Sequence, residues 1–174
     1  GNENLVYNIK AVRIKSVVGK KKLTYATTTN TSTWEDIAGV NSDAQYTLTF
    51  NNAYKLDGKN TTNLTLTSAD ATVEDGGGAM LIPQNVTAWD GDKVDDNAAY
   101  NGGTYISIYL NVKMASGNKF MYPAGAQGEQ TYGWVAIPVP AINWEEGNKY
   151  IYILDMSTGC GKVDPVDPGE NVNP

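Results

Sequence analysis

The chain has 174 residues, 41% hydrophobic and 18% charged, with 13 basic against 19 acidic side chains and a net charge of −6. Arg13 is its one arginine, so the clustered cations that neutralise phosphates are missing and the balance argues against nucleic-acid binding. Histidine is absent and Cys160 is the single cysteine, which removes Ser-His-Asp and Cys-His catalysis, His-ligated metals, Cys₄ zinc and any intramolecular disulfide.

The opening segment 5–18 alternates, with Val12, Ile14 and Val18 on one face and Arg13 and Lys15 on the other. A hairpin turn through Lys20, Lys21 and Lys22 then leads into a strand at 23–27. Residues 27–45 are expected to be a long loop, with one or two helical turns near 32–39, where Ser32 or Thr33 precedes Glu35 or Asp36 in a capping arrangement. Tyr46, Leu48 and Phe50 point inward from the next strand, with threonines outward, and 63–67 is a shorter version of the same pattern. The run 79–83 is compact and apolar and ends at Pro83. The three glycines before it lack the Lys-Ser/Thr ending of a phosphate-binding loop.

A second long loop, 85–103, precedes the clearest alternation in the chain. There, Ile106, Ile108, Leu110, Val112 and Met114 share one face, and Tyr105, Ser107, Tyr109, Asn111 and Lys113 share the other, which predicts a half-buried strand. Strands at 132–139 and 149–156 follow. The second is apolar or aromatic on both faces, as a central strand would be. Pro138 and Pro140 between them mark a strand end at a sheet edge, since proline cannot donate to a ladder.

No window holds the apolar period of an amphipathic helix, and no apolar run reaches the length of a membrane-spanning helix. The predicted architecture is all-β: an antiparallel, Greek-key-like β-sandwich of about eight strands with long loops. One domain covers 1–160, and 161–174, rich in Asp-Pro, is an extended linker or tail.

Candidate chemistry is sparse. Asp90, Asp92, Asp95 and Asp96 cluster in an acidic loop, and grouped carboxylates suit calcium, but the EF-hand spacing fails; a solvated acidic loop is the simpler reading and no cofactor is expected. Glu145 and Glu146 are neighbours on a turn and do not face each other across a substrate, so no glycosidase pair forms and no enzymatic activity is expected. Trp89, Tyr105 and Tyr109 offer ring faces for stacking on a sugar, the alternative being that they pack beneath a loop or across strands. Asn30, Asn60, Asn63 and Asn85 head Asn-x-Ser/Thr sequons.

The stretch "MLIPQNV" (80–86), the alternating "YISIYLNV" strand, and "YGWVAIPVPAINWEEGNKYIYILDMSTGCG" with its W-x-x-G-x-x-Y-x-Y turn together resemble the fimbrillin-like family of Bacteroidales surface proteins. The likeness spans about 79–161, close to half the chain. It implies a subunit or accessory adhesin of type V pili, made as a lipoprotein with two β-sandwich domains, of which this chain resembles the C-terminal one. It also implies assembly in which a terminal strand of one subunit completes a groove in the next. The expected location is the outer membrane-attached cell surface or fimbria of a Gram-negative bacterium. The expected partners are other pilus subunits, and a host protein or glycan. Two features depart from the family pattern: no lipobox cysteine stands at the N-terminus, and the chain stops at "GENVNP" where many relatives continue into another strand. The tail residues Lys162, Val163, Asp164 and Pro165 are candidates for subunit contact, and the runner-up function is a surface carbohydrate-binding module using Trp89, Tyr105 and Tyr109.

Overall fold

The structure is a computed structural model and describes residues 3–40, 44–57, 80–91, 102–117, 119–128, 130–156 and 162–163. Ten strands form among these residues: β1 (Leu5–Val17), β2 (Lys21–Ala26), β3 (Thr31–Asp36), β4 (Ala44–Asp57), β5 (Gln84–Val86), β6 (Tyr105–Met114), β7 (Phe120–Tyr122), β8 (Gly133–Pro138), β9 (Ile142–Trp144) and β10 (Lys162–Val163). Every ladder is antiparallel, and the all-β class expected from the alternation is what the chain adopts. The main sheet runs β10-β8-β6-β1-β4, with β7 also on β6. Two separate ribbons, β2–β3 and β5–β9, accompany it.

The core lies on one face of the main sheet. Tyr7 and Ile9 from β1, Phe50 from β4, Ile106, Ile108, Leu110 and Val112 from β6 and Val135 from β8 meet Val86, Val139 and Trp144 there, and Tyr150, Tyr152, Leu154 and Met156 pack onto the same cluster. Phe50 closes part of this core edge-on against Tyr54, with ring centroids 4.8 Å apart. The inward positions Tyr46, Leu48 and Phe50 are as the alternation predicts, Tyr46 and Leu48 half-buried and Phe50 fully so.

Strand β1 departs from strict period two. Its register shifts between Ile9 and Ala11 and again between Lys15 and Val17, and at the second shift Ser16 takes a left-handed backbone (φ 59°). An extra residue in a ladder carries everything after it to the opposite face. Val17, not the expected Val18, is therefore the fully buried residue at the strand's end.

Two burial expectations trade places. Strand β6, expected to be half-buried, is flanked by β1 and β8 and is buried on both faces through Val112. Its second face carries a layer of its own, in which Tyr109 stacks on Tyr132 and Trp134 (5.3 and 5.0 Å) and Tyr105 on Trp89 (5.3 Å). The guanidinium of Arg13 lies 3.7 Å above the Trp134 ring, buried with it, so the chain's one arginine is a packing element. Buried Asn111 accepts from Asn8 Nδ2 at 2.7 Å and donates to the Thr131 carbonyl at 3.1 Å, which satisfies a polar group the interior would otherwise penalise. Residues 151–156, expected as a central strand, carry no ladder among the described residues. They run with alternating burial, and Ile151 and Ile153 face outward.

The expected hairpin between 5–18 and 23–27 is also corrected. Strand β2 pairs instead with β3, inside the stretch expected to be a loop with a helical turn. The turn 27–30 closes it, with Asn30 left-handed (φ 56°) and its side chain accepting from the Tyr25 hydroxyl. The lysine cluster is cross-strand paired, Lys21 to Asp36 and Lys22 to Glu35, each at 2.9 Å and in direct register. The sequence 80–83 is not a strand; β5 begins after Pro83. The two residues of β10 fall in the stretch expected to be free tail and pair with Ala136 and Val135 of β8. The expected strand at 63–67 lies outside the described residues.

Candidate functional site

The motif W-x-x-G-x-x-Y-x-Y builds a tight corner after β9. Gly147 takes φ 77°, a left-handed conformation that favours glycine, and lets the chain turn after Glu145 and Glu146. The Tyr150 hydroxyl then reaches back across the turn, donating to the Asn143 carbonyl (3.0 Å) and accepting from the Glu145 amide (2.8 Å). Trp144 is buried and donates its indole N–H to the Tyr152 hydroxyl at 3.0 Å. The two tyrosines spaced by one residue thus share a face, and both pin the extended segment to the corner that precedes it.

Glu146 projects from this corner onto hairpin β2–β3. One carboxylate oxygen accepts from Ser32 Oγ at 2.5 Å and the other from Trp34 Nε1 at 2.9 Å. Those two bonds, the Ser32 bond first, hold its carboxyl below the ordinary glutamate range. Glu145 takes other partners, accepting from Asn148 Nδ2 at 3.3 Å and from Asn143 Nδ2 at 3.5 Å. The adjacent acids therefore serve different partners, and no facing carboxylate pair forms from them.

Between the inner face of the hairpin and ribbon β5–β9 lies a cleft of about 370 Å³. Lys21, Ser32 and Trp34 line one side, Pro83 to Asn85 and Asn143 to Glu146 the other. Asn85 and Asn143 stand opposite each other in the β5–β9 ladder and are both exposed. Gln84, one residue earlier, faces the other way and is buried against the end of β1.

A second candidate surface is the extended segment 150–156. Tyr150, Tyr152, Leu154 and Met156 seat it on the core, while Ile151 and Ile153 are 72% and 77% exposed. It follows β9 in the chain, and the outer edge of β8 is laddered, among the described residues, at Val135 and Ala136 by β10. Pro138 ends β8 at an exposed position, as the prolines of this stretch predict.

The predicted sugar-stacking rings are elsewhere and are not available. Trp89 is 2% exposed, Tyr105 0% and Tyr109 8%, because the second face of β6 is covered by this same aromatic layer. Burial, reinforced by the neighbouring Tyr132, pushes the Tyr109 phenol above its ordinary value. The packing alternative for these rings is the one the structure adopts. Asp90 is exposed, and Asp92, Asp95 and Asp96 lie outside the described residues, as do Asp164 and Pro165. Among the described residues no cluster of acidic or cysteine side chains has the grouping of a metal site, and no helix is long and apolar enough to cross a membrane.

Sequence reasoning missed the hairpin β2–β3 and hence Trp34 and Ser32. The strand Thr31–Asp36 alternates polar with polar apart from Trp34, so hydrophobic period carries no signal there. The turn chemistry of "TTTN", with Asn able to adopt a left-handed backbone, was the available cue. Compared with protein-family models, with curated proteins and with solved structures, the chain matches none.

Proposed function

We propose that this chain is a non-catalytic structural subunit or accessory adhesin of a cell-surface fimbria, of the fimbrillin-like kind, that joins its neighbours by β-strand addition. The observation that carries the reading is the segment 150–156. It has the alternating burial of a strand and is seated on the core, yet it has no ladder among the described residues and leaves Ile151 and Ile153 in water. An incoming strand would lie alongside this segment and bring side chains over the isoleucines, as in other strand-addition complexes. The short ladder of β10 on β8 supports the same idea, since it places the start of the Asp-Pro stretch at a sheet edge. The partners are then further subunits of the same or a related chain, with a host protein or glycan as the outward target. The setting is the outer membrane-attached surface of a Gram-negative bacterium.

The test is assembly in vitro. The chain at high concentration is expected to form ladders of multimers, and Ile151→Lys with Ile153→Lys should abolish them while far-ultraviolet dichroism stays unchanged. Ladders that persist in the double variant, or a protein that stays monomeric at every concentration, would count against the proposal.

A further inference from the structure

We infer that the cleft between hairpin β2–β3 and ribbon β5–β9 is a binding site for a neutral oligosaccharide. Three properties of the cleft select that chemistry. Trp34 is half-buried and its indole N–H is tied to Glu146 at 2.9 Å, so the ring is held in one orientation before any ligand arrives. A pre-oriented aromatic face costs little further entropy on binding and matches the C–H face of a pyranose. Leu23 and Tyr25, on the same face of the hairpin by register, are 51% and 55% exposed and extend that surface.

Opposite the ring stand the paired amides of Asn85 and Asn143, directly across the β5–β9 ladder. Each amide carries both donor and acceptor atoms, the combination that vicinal hydroxyls require, with one Asn143 Nδ2 hydrogen shared with Glu145 at 3.5 Å. The volume, about 370 Å³, lies within the range of small-molecule sites.

The charge in the cleft sets the class. Glu145 and Glu146 are carboxylates, and the one cation lining it among the described residues, Lys21, is already paired with Asp36 at 2.9 Å. An acidic or sulfated sugar would meet uncompensated negative charge, whereas a neutral sugar would find acceptors for its hydroxyls. The inference rests on different residues from the assembly surface and stands apart from it.

The experiment is an NMR titration of the folded monomer with maltotriose, cellotriose, mannotriose and tri-N-acetylchitotriose in turn, and with a heparin disaccharide as the anionic probe. At least one neutral sugar should shift the Trp34 indole and the Asn85 and Asn143 side-chain signals saturably, with Kd of about 0.1–5 mM. Asn85→Ala with Asn143→Ala should weaken that binding by about tenfold or more, with the thermal midpoint unchanged because both amides are exposed. Trp34→Phe should weaken it too. If that variant loosens the hairpin, the asparagine pair decides alone. No saturable shift with any of the four neutral sugars overturns the inference. So does binding that survives the double asparagine substitution, or tighter binding of the heparin disaccharide than of any neutral sugar.

Discussion

Gln84 holds both backbone groups of Val18: its Oε1 accepts from the Val18 amide at 2.7 Å and its Nε2 donates to the Val18 carbonyl at 3.0 Å. The same Nε2 also donates to the Ile82 carbonyl at 3.0 Å. A side-chain amide thus takes the place of a strand at the end of β1, and it ties the main sheet to ribbon β5–β9 at a buried point. Substituting Gln84→Ala removes all three bonds and leaves two backbone groups of Val18 poorly satisfied. The expected cost is about 2–3 kcal/mol, read as a lower urea midpoint at constant slope.

Gly103 sits where the chain passes the segment Ala88–Trp89 at closest approach. A Cβ there would lie 2.3 Å from both the Ala88 carbonyl oxygen and the Trp89 nitrogen, and these are backbone atoms that cannot swing aside. Gly103→Ala should therefore cost more than about 3 kcal/mol or prevent folding. Gly102, with φ 72°, meets nothing within 4 Å, so Gly102→Ala should cost only about 1–2 kcal/mol from backbone strain. Thermal unfolding of the pair separates steric from conformational cost.

Docking of the hairpin should depend on pH through Glu146. Bonds from Ser32 and Trp34 lower its carboxyl in the folded state relative to the unfolded chain. A depressed carboxylate contributes stability that is complete above its unfolded value and is lost as pH falls through its folded one. The Trp34 indole N–H resonance should accordingly shift with a midpoint below the ordinary glutamate range. In Glu146→Gln that titration should vanish, while the hairpin keeps part of its contact through the amide oxygen.

Tyr54 carries a buried hydroxyl with no hydrogen-bond partner among the described residues. Its ring, by contrast, makes an edge-on contact with Phe50. Tyr54→Phe keeps the ring and removes the unsatisfied group, so it should be neutral or stabilising by up to about 1 kcal/mol. Tyr54→Ala should instead cost about 3 kcal/mol or more by opening a cavity beside Phe50.

How far the fold could be read follows from where apolar side chains alternate. The faces of β4 and β6 were legible because Tyr46, Leu48 and Phe50, and then Ile106 through Val112, hold period two without interruption. The end of β1 was not, because a left-handed Ser16 shifts the register and nothing about a serine announces that. For Trp89, Tyr105 and Tyr109 the sequence allows both platform and packing. Alternation says only that they share a face with one another or flank a loop, not what covers that face.

The amino-acid sequence by itself determined the chemistry that is absent and the class of fold. Without histidine, and with one cysteine, Ser-His-Asp and Cys-His triads, His-ligated metals and Cys₄ zinc cannot be built, and the alternating runs between turn residues point to antiparallel strands. It also determined the corner after β9, since Gly147, Tyr150 and Tyr152 act within a few residues of Trp144. Only the tertiary structure decided that β6 is covered on both faces through Val112 and that 150–156 lies on the core without a ladder among the described residues. Burial of a second face depends on what other segments bring to it. The cleft, too, is a tertiary product. Glu146 reaches Ser32 and Trp34 across more than a hundred residues of chain, a contact that no local pattern encodes.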